Sequence, residues 1–491
     1  MDEKFFPDLT PEIFHAVVSV LAVMITALSV WAIIHAIIYK RDSRSALGWV
    51  ALIILSPVIG LMLYFVFGIN RIRRKAARLK GGDSIFSFIK PNIIPVRNNT
   101  GKQGEVKGLS HNIKKIMLAG DIITGKRVYK GNEVKMLKNA EEARREMIRE
   151  IDGARRSVGL VSYFFVSDRE GMEMVEALSR AKKRGAKVMV LLDDLGIKHS
   201  LSGITRVLKK HKIQAARFLK ITSPFQLTNY NLRNHRKILL IDGKRGFTGS
   251  MNIGGHYDKN GREKVRDCHF MFSGPIVRDL AKVFAEDWEF TAGEKLRGRK
   301  WFPKLKKQGE VPARGISDGP DKDFEKAYWD ILAAITNAEK RIYVQTPYFI
   351  PDATIISSLG LAAMRGVDVR ILIPQKGNSR IADWASRTLW WRLVERGCGI
   401  YLIPPPFDHS KIMMVDDTWS FIGSANWDSR SLRLNFEYNI ELYDRKISTE
   451  IRRVFNEKIR KSRKVTAEKL RRISFPEMVR NGIARLFSPY L

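Results

Sequence analysis

One spaced pattern of polar residues occurs twice in this chain, and it limits the possible fold more than any other feature. Each copy has a histidine, a lysine two residues later, an aspartate five residues after the lysine, and a Gly-Ser-x-Asn segment that begins seven residues after the aspartate. A pattern of this length is hard to repeat by chance, so the chain must contain two related units. The histidine, lysine and aspartate of the two copies are His235, Lys237 and Asp242, then His409, Lys411 and Asp416.

The residues around each histidine indicate a β-strand. Residues 235–241 and 409–415 end in apolar runs, and the stretches that end at the two Gly-Ser pairs are typical of hairpin partners. Because residues i and i+2 of a strand point to one face, each histidine shares a face with its lysine and each serine with its asparagine. We predict that the hydroxyl and amide groups bind phosphate oxygens. These phosphate-binding candidates are Ser250, Asn252, Ser424 and Asn426.

Together these side chains are suited to phosphoryl chemistry. A lysine ammonium neutralises phosphate oxygens, and a histidine can be a nucleophile or a general acid and base near neutral pH. With two units facing each other, one histidine would attack phosphorus and form a phosphohistidine. The other would protonate the leaving alkoxide and then deprotonate the incoming hydroxyl. We predict no metal and no cofactor, since the lysines supply the charge and the sequence has no Gly-rich nucleotide loop. The predicted catalytic residues are His235, Lys237, Asp242, His409, Lys411 and Asp416.

Four carboxylates near the motifs each have more than one interpretation. Asp242 and Asp416 stand where a hairpin turn is expected, so a turn role and a role in ordering the site are equally open. Asp267 and Glu437 follow the motifs, and either could accept a hydrogen bond from a histidine Nδ1 and fix its tautomer. A plain surface position is an equal alternative for Asp267. Glu437 lies in a more apolar stretch, which favours a supporting role.

Around the motifs, both halves alternate strands with helical segments. Each half has a Tyr-Phe pair, a helical pattern rich in Ala and Leu, and a buried strand, at 189–192 in the first half and 371–373 in the second. Such alternation is typical of βαβ units and a parallel or mixed sheet. We predict an α/β fold in which two repeated α/β/α domains form one active site. The predicted segments are a membrane anchor at 1–70, a basic linker at 71–110, a first domain at 111–300, a second domain at 301–450 and a basic tail at 451–491.

The N-terminal region contains two long apolar segments. No charged residue lies between Glu12 and Lys40, and none lies between Arg44 and Arg71. Each segment is long enough to cross the hydrocarbon layer as a helix, so we predict two transmembrane helices before the repeat. Two buried core helices are a weaker alternative, because such runs are rare in soluble domains. A cleaved signal peptide is also weaker, because the first residues are not basic.

The charges beside these segments favour a catalytic part on the cytoplasmic side. A basic cluster at 71–80 follows the second segment, and cytoplasmic flanks are rich in such clusters. Two full spans would, however, place Lys40, Arg41 and Arg44 outside, against the same rule. A shallow hairpin in place of the second span would remove this conflict, and both topologies stay open.

The chain has an excess of positive charge, with 86 Lys and Arg against 51 Asp and Glu. Such a surface attracts nucleic acid or an anionic membrane, and the apolar segments favour the membrane. The basic tail beyond residue 451 could lie on anionic headgroups or form a solvated helix. Cys268 and Cys398 are far apart in the sequence, so neither a disulfide framework nor a cysteine zinc site is predicted.

The two motifs resemble the HKD signatures of the phospholipase D superfamily, over roughly residues 110–445. Further segments are similar to bacterial cardiolipin synthases. These segments are residues 46–49, 63–68, 346–352, 429–437 and 485–491. Ser410 and Asn378 depart from the residues that this family more often has at these positions, and Asn378 leaves the details of the substrate open.

The resemblance implies a phosphatidyltransferase that moves a phosphatidyl group from one phosphatidylglycerol to another, giving cardiolipin and glycerol. It implies phosphatidylglycerol and anionic membrane lipid as partners, no nucleic acid, and a multi-pass protein of the bacterial inner membrane. The superfamily tendency also implies that His235 attacks and that His409 is the general acid. The alternatives are a phospholipase D, a transferase that uses another alcohol, a nuclease and an inactive scaffold. A nuclease gains little from membrane segments, and a scaffold would show erosion of one motif. The oligomeric state is not indicated.

Overall fold

A computed structural model gives the architecture of two units, Met1–Arg74 and Lys75–Leu491. The predicted linker at 71–110 lies largely outside the described residues, and the basic cluster at 71–80 lies wholly outside them. The structure describes residues 11–40, 42–68, 106, 108–199, 203–221, 232–257 and 260–489.

The N-terminal unit is helical. Its elements are α1 (Pro11–Tyr39), α2 (Ser43–Leu55), α3 (Pro57–Leu63) and a π-helical turn (Tyr64–Gly68). The apolar segment Ile13–Tyr39 of α1 has 27 residues and is the one helix among the described residues that is long and apolar enough to cross a membrane. The predicted first spanning helix therefore has the required length.

The predicted second spanning helix is not confirmed. The second apolar segment is divided, because α2 has 13 residues and α3 has 7. Between them Ser56 leaves the helical conformation, with φ −147° and ψ 80°, and Pro57 has no N–H to donate to the preceding turn. Neither piece reaches the ~20 residues that a spanning helix needs. The absence of charge defined this segment, and Pro57 was accepted within it because membrane helices tolerate proline.

A single 15-stranded sheet runs through the large unit. The elements of its first half are α4 (His111–Thr124), β1 (Tyr129–Leu137), α5 (Ala140–Gly153), β2 (Ser157–Ser162), α6 (Arg169–Lys183), β3 (Lys187–Asp193), α7 (Asp194–His199), α8 (Ile204–Lys210), β4 (Gln214–Phe218), β5 (Ile238–Ile241), β6 (Arg245–Gly249), β7 (Val265–Arg266), β8 (His269–Ser273) and α9 (Val277–Ala292).

The second half repeats this arrangement and ends in a helical tail. Its elements are β9 (Val311–Asp318), α10 (Lys326–Asn337), β10 (Arg341–Gln345), β11 (Phe349–Ile350), α11 (Ala353–Met364), β12 (Asp368–Pro374), α12 (Arg380–Val394), β13 (Gly399–Ile403), β14 (Phe407–Asp408), β15 (Ile412–Val415), β16 (Trp419–Gly423), β17 (Trp427–Asp428), α13 (Ser429–Arg433), β18 (Glu437–Tyr443), α14 (Arg445–Lys461), β19 (Arg463–Lys464), α15 (Ala467–Arg471) and α16 (Phe475–Leu486).

The order of the strands shows the internal repeat. Strands β1 and β9 pair antiparallel, and each half extends from this pair. Outward from β1 the order is β8, β6, β5, β2, β3 and β4, and outward from β9 it is β18, β16, β15, β10, β12, β13 and β19. In each half the outer strands β2–β3–β4 or β10–β12–β13 are parallel, while β5–β6 and β15–β16 are antiparallel hairpins. The predicted repeated α/β architecture is confirmed.

Each half has its own hydrophobic core, and one early helix belongs to the core of the other half. Helix α4 packs on α10 and buries Ile113, Ile116 and Met117 in the core of the second half. The predicted boundaries place this helix in the first domain. The boundary at residue 300 remains a prediction, since one sheet runs through both halves.

Candidate active site

The two histidines lie where the halves exchange backbone hydrogen bonds. Each histidine is three residues before the regular hairpin strand, β5 or β15, on an extended segment that pairs with the opposite half. The His235 N–H donates to the Phe436 carbonyl at 2.9 Å, and the Phe436 N–H donates to the Arg233 carbonyl at 2.8 Å. In the other half, the His409 N–H donates to the Arg266 carbonyl at 2.8 Å. The join between the halves therefore positions both histidines.

The supporting acids are crossed between the halves. Nδ1 of His235 lies 2.9 Å from Oε1 of Glu437, and Nδ1 of His409 lies 2.9 Å from Oδ2 of Asp267. Burial alone would raise the pKa of each acid, but the paired histidine and a nearby lysine hold both pKa values below the usual range. An ionised carboxylate can only accept, so Nδ1 donates. The reactive nitrogen of each ring is therefore Nε2.

Burial keeps both imidazoles neutral. It lowers the pKa of His235 to about 4, against the opposing charge of Glu437. It also lowers the pKa of His409 to about 4, with a further lowering from the ammonium of Lys411. A neutral imidazole with a proton on Nδ1 has its lone pair on Nε2, which is the form that a nucleophile needs.

The two lysines are buried beside their own histidines, with different contacts. Nζ of Lys237 donates to the carbonyl oxygen of His235 at 2.6 Å. Nζ of Lys411 lies 2.8 Å from the carbonyl oxygen of His409 and 2.9 Å from its Nε2. Burial lowers the pKa of Lys237 to about 7 and that of Lys411 to about 8. An anionic phosphate beside them would favour the charged form of both.

The serines of the Gly-Ser pairs hold the acids. The hydroxyl of Ser250 donates to Asp267, and the hydroxyl of Ser424 donates to Glu437. Both hydroxyls are buried. Their contacts favour a role in orienting the carboxylates, and phosphate binding by Ser250 and Ser424 remains a prediction.

The two asparagines have one amide atom engaged each. Oδ1 of Asn252 accepts from the Phe164 N–H at 3.3 Å. Nδ2 of Asn426 donates to Ser431 Oγ at 3.1 Å, and its buried Oδ1 has no hydrogen-bond partner among the described residues. A flip of this amide would exchange the two atoms and leave Nδ2 as the unsatisfied group. Phosphate binding by Asn252 and Asn426 remains a prediction.

The contacts of the two motif aspartates support the turn role, and a catalytic role for Asp242 and Asp416 remains a prediction. The carboxylate of Asp242 accepts from the backbone N–H groups of residues 155–157 at 2.7–3.2 Å. Asp416 does the same for residues 339–341 at 2.7–2.8 Å. Both stand in turns with positive φ, 53° and 50°. Each follows the histidine of its own motif by seven residues, which is roughly 23 Å along an extended strand, so it lies well away from that histidine.

An aromatic residue that we did not assign to the site lies against the first histidine. The ring of Tyr163 is 5.2 Å from that of His235, and Nζ of Lys237 is 5.6 Å from the centre of the Tyr163 ring. Burial raises the pKa of Tyr163 to about 12, so it stays a hydroxyl. The sequence feature that could have indicated Tyr163 is the Tyr-Phe pair that occurs in both halves. In the second half the hydroxyl of the corresponding Tyr348 donates to Oδ1 of Asn378.

Arg236, the middle residue of the first motif, links the halves. Its buried guanidinium donates to Asp287 Oδ1 and Ser317 Oγ, both at 2.6 Å, and to the carbonyl oxygen of Glu437 at 3.1 Å. It therefore holds the backbone of the acid that orients His235. No sequence signal showed this role, because the second motif has Ser410 at the same position.

Within the part of the chain that the structure describes, no group of three or more His, Cys, Asp or Glu side chains is placed to hold a metal ion. The positive charge of the site comes from Lys237 and Lys411. Two imidazoles, two lysine side chains and two carboxylates lie near one another, since the charge of each lysine lowers the pKa of the histidine in the opposite half. This arrangement can bind a phosphodiester, attack it and protonate its leaving group.

Family models match both halves of the large unit. A model described as "Cardiolipin synthase, PLD-like domain" matches residues 147–288 and 331–459. Each match includes one copy of the motif and one of the two crossed acids. A second model, described as "Phospholipase_D-nuclease N-terminal", matches residues 27–68. The similarity therefore extends to the apolar N-terminal unit.

Similar proteins cover nearly the whole chain. Cardiolipin synthase 1 of Bacillus cereus is 32% identical over 475 residues, covering 92% of this chain and 90% of the relative. The cardiolipin synthase of Listeria innocua is 29% identical over 490 residues, covering 96% and 99%. Among solved structures, the phosphatidylserine synthase of Haemophilus influenzae has a TM-score of 0.58 at 14% identity, covering 73% of this chain and 95% of that one. This structural similarity shows a shared fold.

Proposed function

The chain belongs to the cardiolipin synthase family of phospholipase D-like phosphatidyltransferases, and we propose that it joins two phosphatidylglycerol molecules through a phosphohistidine intermediate. The observation that supports this mechanism best is the crossed pairing of the histidines with Glu437 and Asp267. Each carboxylate fixes a proton on Nδ1 and directs Nε2 toward the reaction. Two imidazoles in this state are what a two-step displacement at phosphorus requires.

In the first step, Nε2 of His235 attacks the phosphorus of one phosphatidylglycerol. A P–N bond forms while the bond from phosphorus to the headgroup oxygen breaks. His409 gives that oxygen the proton from its Nε2, and glycerol leaves. The phosphatidyl group stays on His235, whose low pKa keeps the attacking lone pair available at neutral pH.

Binding of the substrate changes the protonation of the general acid. A general acid must hold a proton on Nε2, whereas burial keeps His409 neutral. The phosphate brings negative charge beside this ring and beside both lysines, which raises the pKa of each of them. Asp267 stabilises the imidazolium that results. With lipid bound, His409 and both lysines therefore carry the protons that the reaction needs.

In the second step, the terminal hydroxyl of another phosphatidylglycerol attacks the same phosphorus. It gives its proton to Nε2 of His409 as the P–N bond breaks, and His235 regains its lone pair. The products are cardiolipin and an enzyme ready for another turnover. Lys237 and Lys411 neutralise the equatorial phosphate oxygens in both steps.

The contacts of the two lysines support His235 as the nucleophile. In the second half, Nζ of Lys411 lies 2.9 Å from Nε2 of His409, so that nitrogen is engaged with an ammonium group. Lys237 contacts the carbonyl oxygen of His235 instead. An imidazole whose lone pair accepts from an ammonium is a poor nucleophile. The same contact provides a proton source for a general acid.

We infer that the protein works at the cytoplasmic face of the bacterial inner membrane. Helix α1 is long enough to anchor it, and the divided second segment fits a shallow hairpin better than a second full crossing. The basic cluster at 71–80 supports a cytoplasmic catalytic unit. In this proposal α1 makes the full crossing and the second segment forms a shallow hairpin, in place of the multi-pass arrangement that the resemblance implies.

The test is a product analysis with the purified full-length protein in bilayers that contain phosphatidylglycerol as the one reactive lipid. We expect cardiolipin and glycerol in equal amounts, and neither product from the His235→Ala variant. Phosphatidic acid and glycerol without cardiolipin would identify a hydrolase. Labelled acceptor alcohols added in turn would show whether another hydroxyl competes.

A further inference from the structure

The last helix of the chain, α16, presents its apolar face to solvent. It buries only Asn481 and Ala484. The apolar face of an amphipathic helix normally packs on the core, so α16 has the inverse orientation. Six large apolar side chains of this helix and its C-terminal end are 44–77% exposed: Phe475, Met478, Val479, Ile483, Leu486 and Phe487.

Polar contacts fix this orientation. Glu477 of α16 accepts from Arg387 of α12 at 3.0 Å and from Arg480 at 3.0 Å. The guanidinium of Arg480 lies 4.8 Å from the ring centre of Trp384, which is also on α12. These residues make the polar face of α16 the packed face. Rotation of the helix to bury its apolar side chains would break all of these contacts.

The charge around this face identifies what can cover it. From residue 451 onward the sequence has twelve Lys and Arg but three acidic residues. Lys469, Arg471, Arg472 and Arg485 of this set are exposed on or beside the last two helices. A second copy of the chain would bring the same positive charge. An anionic bilayer surface complements both the apolar side chains and the basic ones.

We propose that α16 is an interfacial membrane helix that docks the large unit on anionic phospholipid, in addition to the N-terminal anchor. Its apolar side chains enter the boundary between headgroups and acyl chains, and its basic neighbours contact headgroup phosphates. The proposal goes beyond the transfer reaction, because it does not depend on which alcohol accepts the phosphatidyl group. It gives the large unit a membrane contact of its own.

The test places an environment-sensitive fluorophore on Ile483→Cys in the full-length protein, reconstituted in nanodiscs of phosphatidylglycerol and phosphatidylcholine. The native Cys268 and Cys398 are each 3% exposed and are shielded from the label, so the introduced thiol at residue 483 is the one that reacts. Lys282→Cys, an exposed polar position on α9, is the matched control. We expect lipid-borne nitroxides to quench the label at residue 483 from a depth of roughly 5–10 Å below the headgroup boundary. They should leave the label at residue 282 unquenched.

Equal access of aqueous iodide to both labels would overturn the proposal. Energy transfer between labels on two copies, without lipid quenching, would assign the face to a second copy and overturn it too. A double variant, Ile483→Ser with Leu486→Ser, gives an independent readout. The surface fraction of phosphatidylglycerol needed for half-maximal rate should rise severalfold, while kcat on short-chain dispersed lipid stays unchanged. An unchanged half-maximal fraction would contradict docking by this helix and leave the transfer mechanism intact.

Discussion

The crossed pairing predicts that each acid controls the histidine of the opposite half, and Glu437→Gln tests this. Glutamine keeps the size of the side chain and can still accept from Nδ1 of His235, but it removes a charge. Glu437 is 0% exposed and its Oε1 lies 2.9 Å from Nδ1, so little water screens the pair. Opposite unit charges about 4 Å apart interact by about 4 kcal/mol at an effective dielectric constant near 20. This interaction stabilises the positive ring that forms as His235 attacks.

Loss of the whole interaction would lower kcat by about 1000-fold, since each 1.36 kcal/mol is a factor of ten. The substitution also acts on Lys237. Burial lowers the pKa of this lysine to about 7, and the charge of Glu437 opposes that effect. Without the charge the pKa falls further, so the ammonium loses its proton at lower pH. The alkaline limb of the rate profile should therefore move to lower pH in this variant.

The assay compares phosphatidylglycerol with a nitrophenyl phosphodiester, whose leaving group needs no proton. Glu437→Gln impairs the attack and should stay slow on both substrates. Asp267→Asn impairs the general acid and should recover most of its rate of nitrophenolate release in the first turnover, because that release precedes the step in which His409 is the general base. Glu289→Gln, an exposed acid on α9, is the control and should behave like the parent protein. Recovery of Glu437→Gln but not of Asp267→Asn would refute the reasoning, and so would identical behaviour of the two.

Three further predictions concern the turn aspartate, metals and pH. Asp242→Asn should lower Tm, because hydrogen bonds from backbone amides to the charged carboxylate contribute about 1.5–3 kcal/mol. A thermal melt combined with a rate assay checks this. A loss of kcat at unchanged Tm would contradict it. A chelator should leave turnover unchanged, because Lys237 and Lys411 neutralise the phosphate; a loss that only a divalent metal restores would show otherwise. The free energy of unfolding should fall as the pH drops from about 6.5 to about 4, because His235 and His409 have folded-state pKa values of about 4 and bind protons first in the unfolded chain. Unfolding titrations across this range should show the fall, and a flat profile would contradict the burial of these rings.

Local spacing was sufficient to predict the repeat and most of the side chains of the candidate site. Two equal motifs predicted two units, and the strands extend in the same order from β1 and from β9. The two-residue period of a strand put each lysine beside its histidine, and both Nζ atoms contact the histidine carbonyl oxygens. Asp267 and Glu437 were proposed as partners of Nδ1, and the structure places them there.

The remaining features depend on contacts between distant parts of the chain. Identical spacing in both halves cannot tell that Glu437 serves His235 and not His409. Asp242 binds backbone amides 85–87 residues earlier in the chain, and no local pattern indicates that pairing. An apolar stripe has the same spacing in the sequence whether it faces the core or the solvent. The sequence of α16 therefore could not show that its apolar side chains point outward. The break at Pro57 was visible, but membrane helices tolerate proline, so it did not decide the length of the helix.

The most direct test of the account is to trap and map the covalent intermediate. His409→Ala should still attack a phosphodiester with a good leaving group, because it keeps the nucleophile and needs no general acid for that step. Acid-labile label should therefore accumulate on His235 and be found there by peptide mapping. His235→Ala should trap nothing, whatever the leaving group. Label on His409 in the His235→Ala protein would reverse the two roles, and label on neither residue in any variant would contradict covalent catalysis itself.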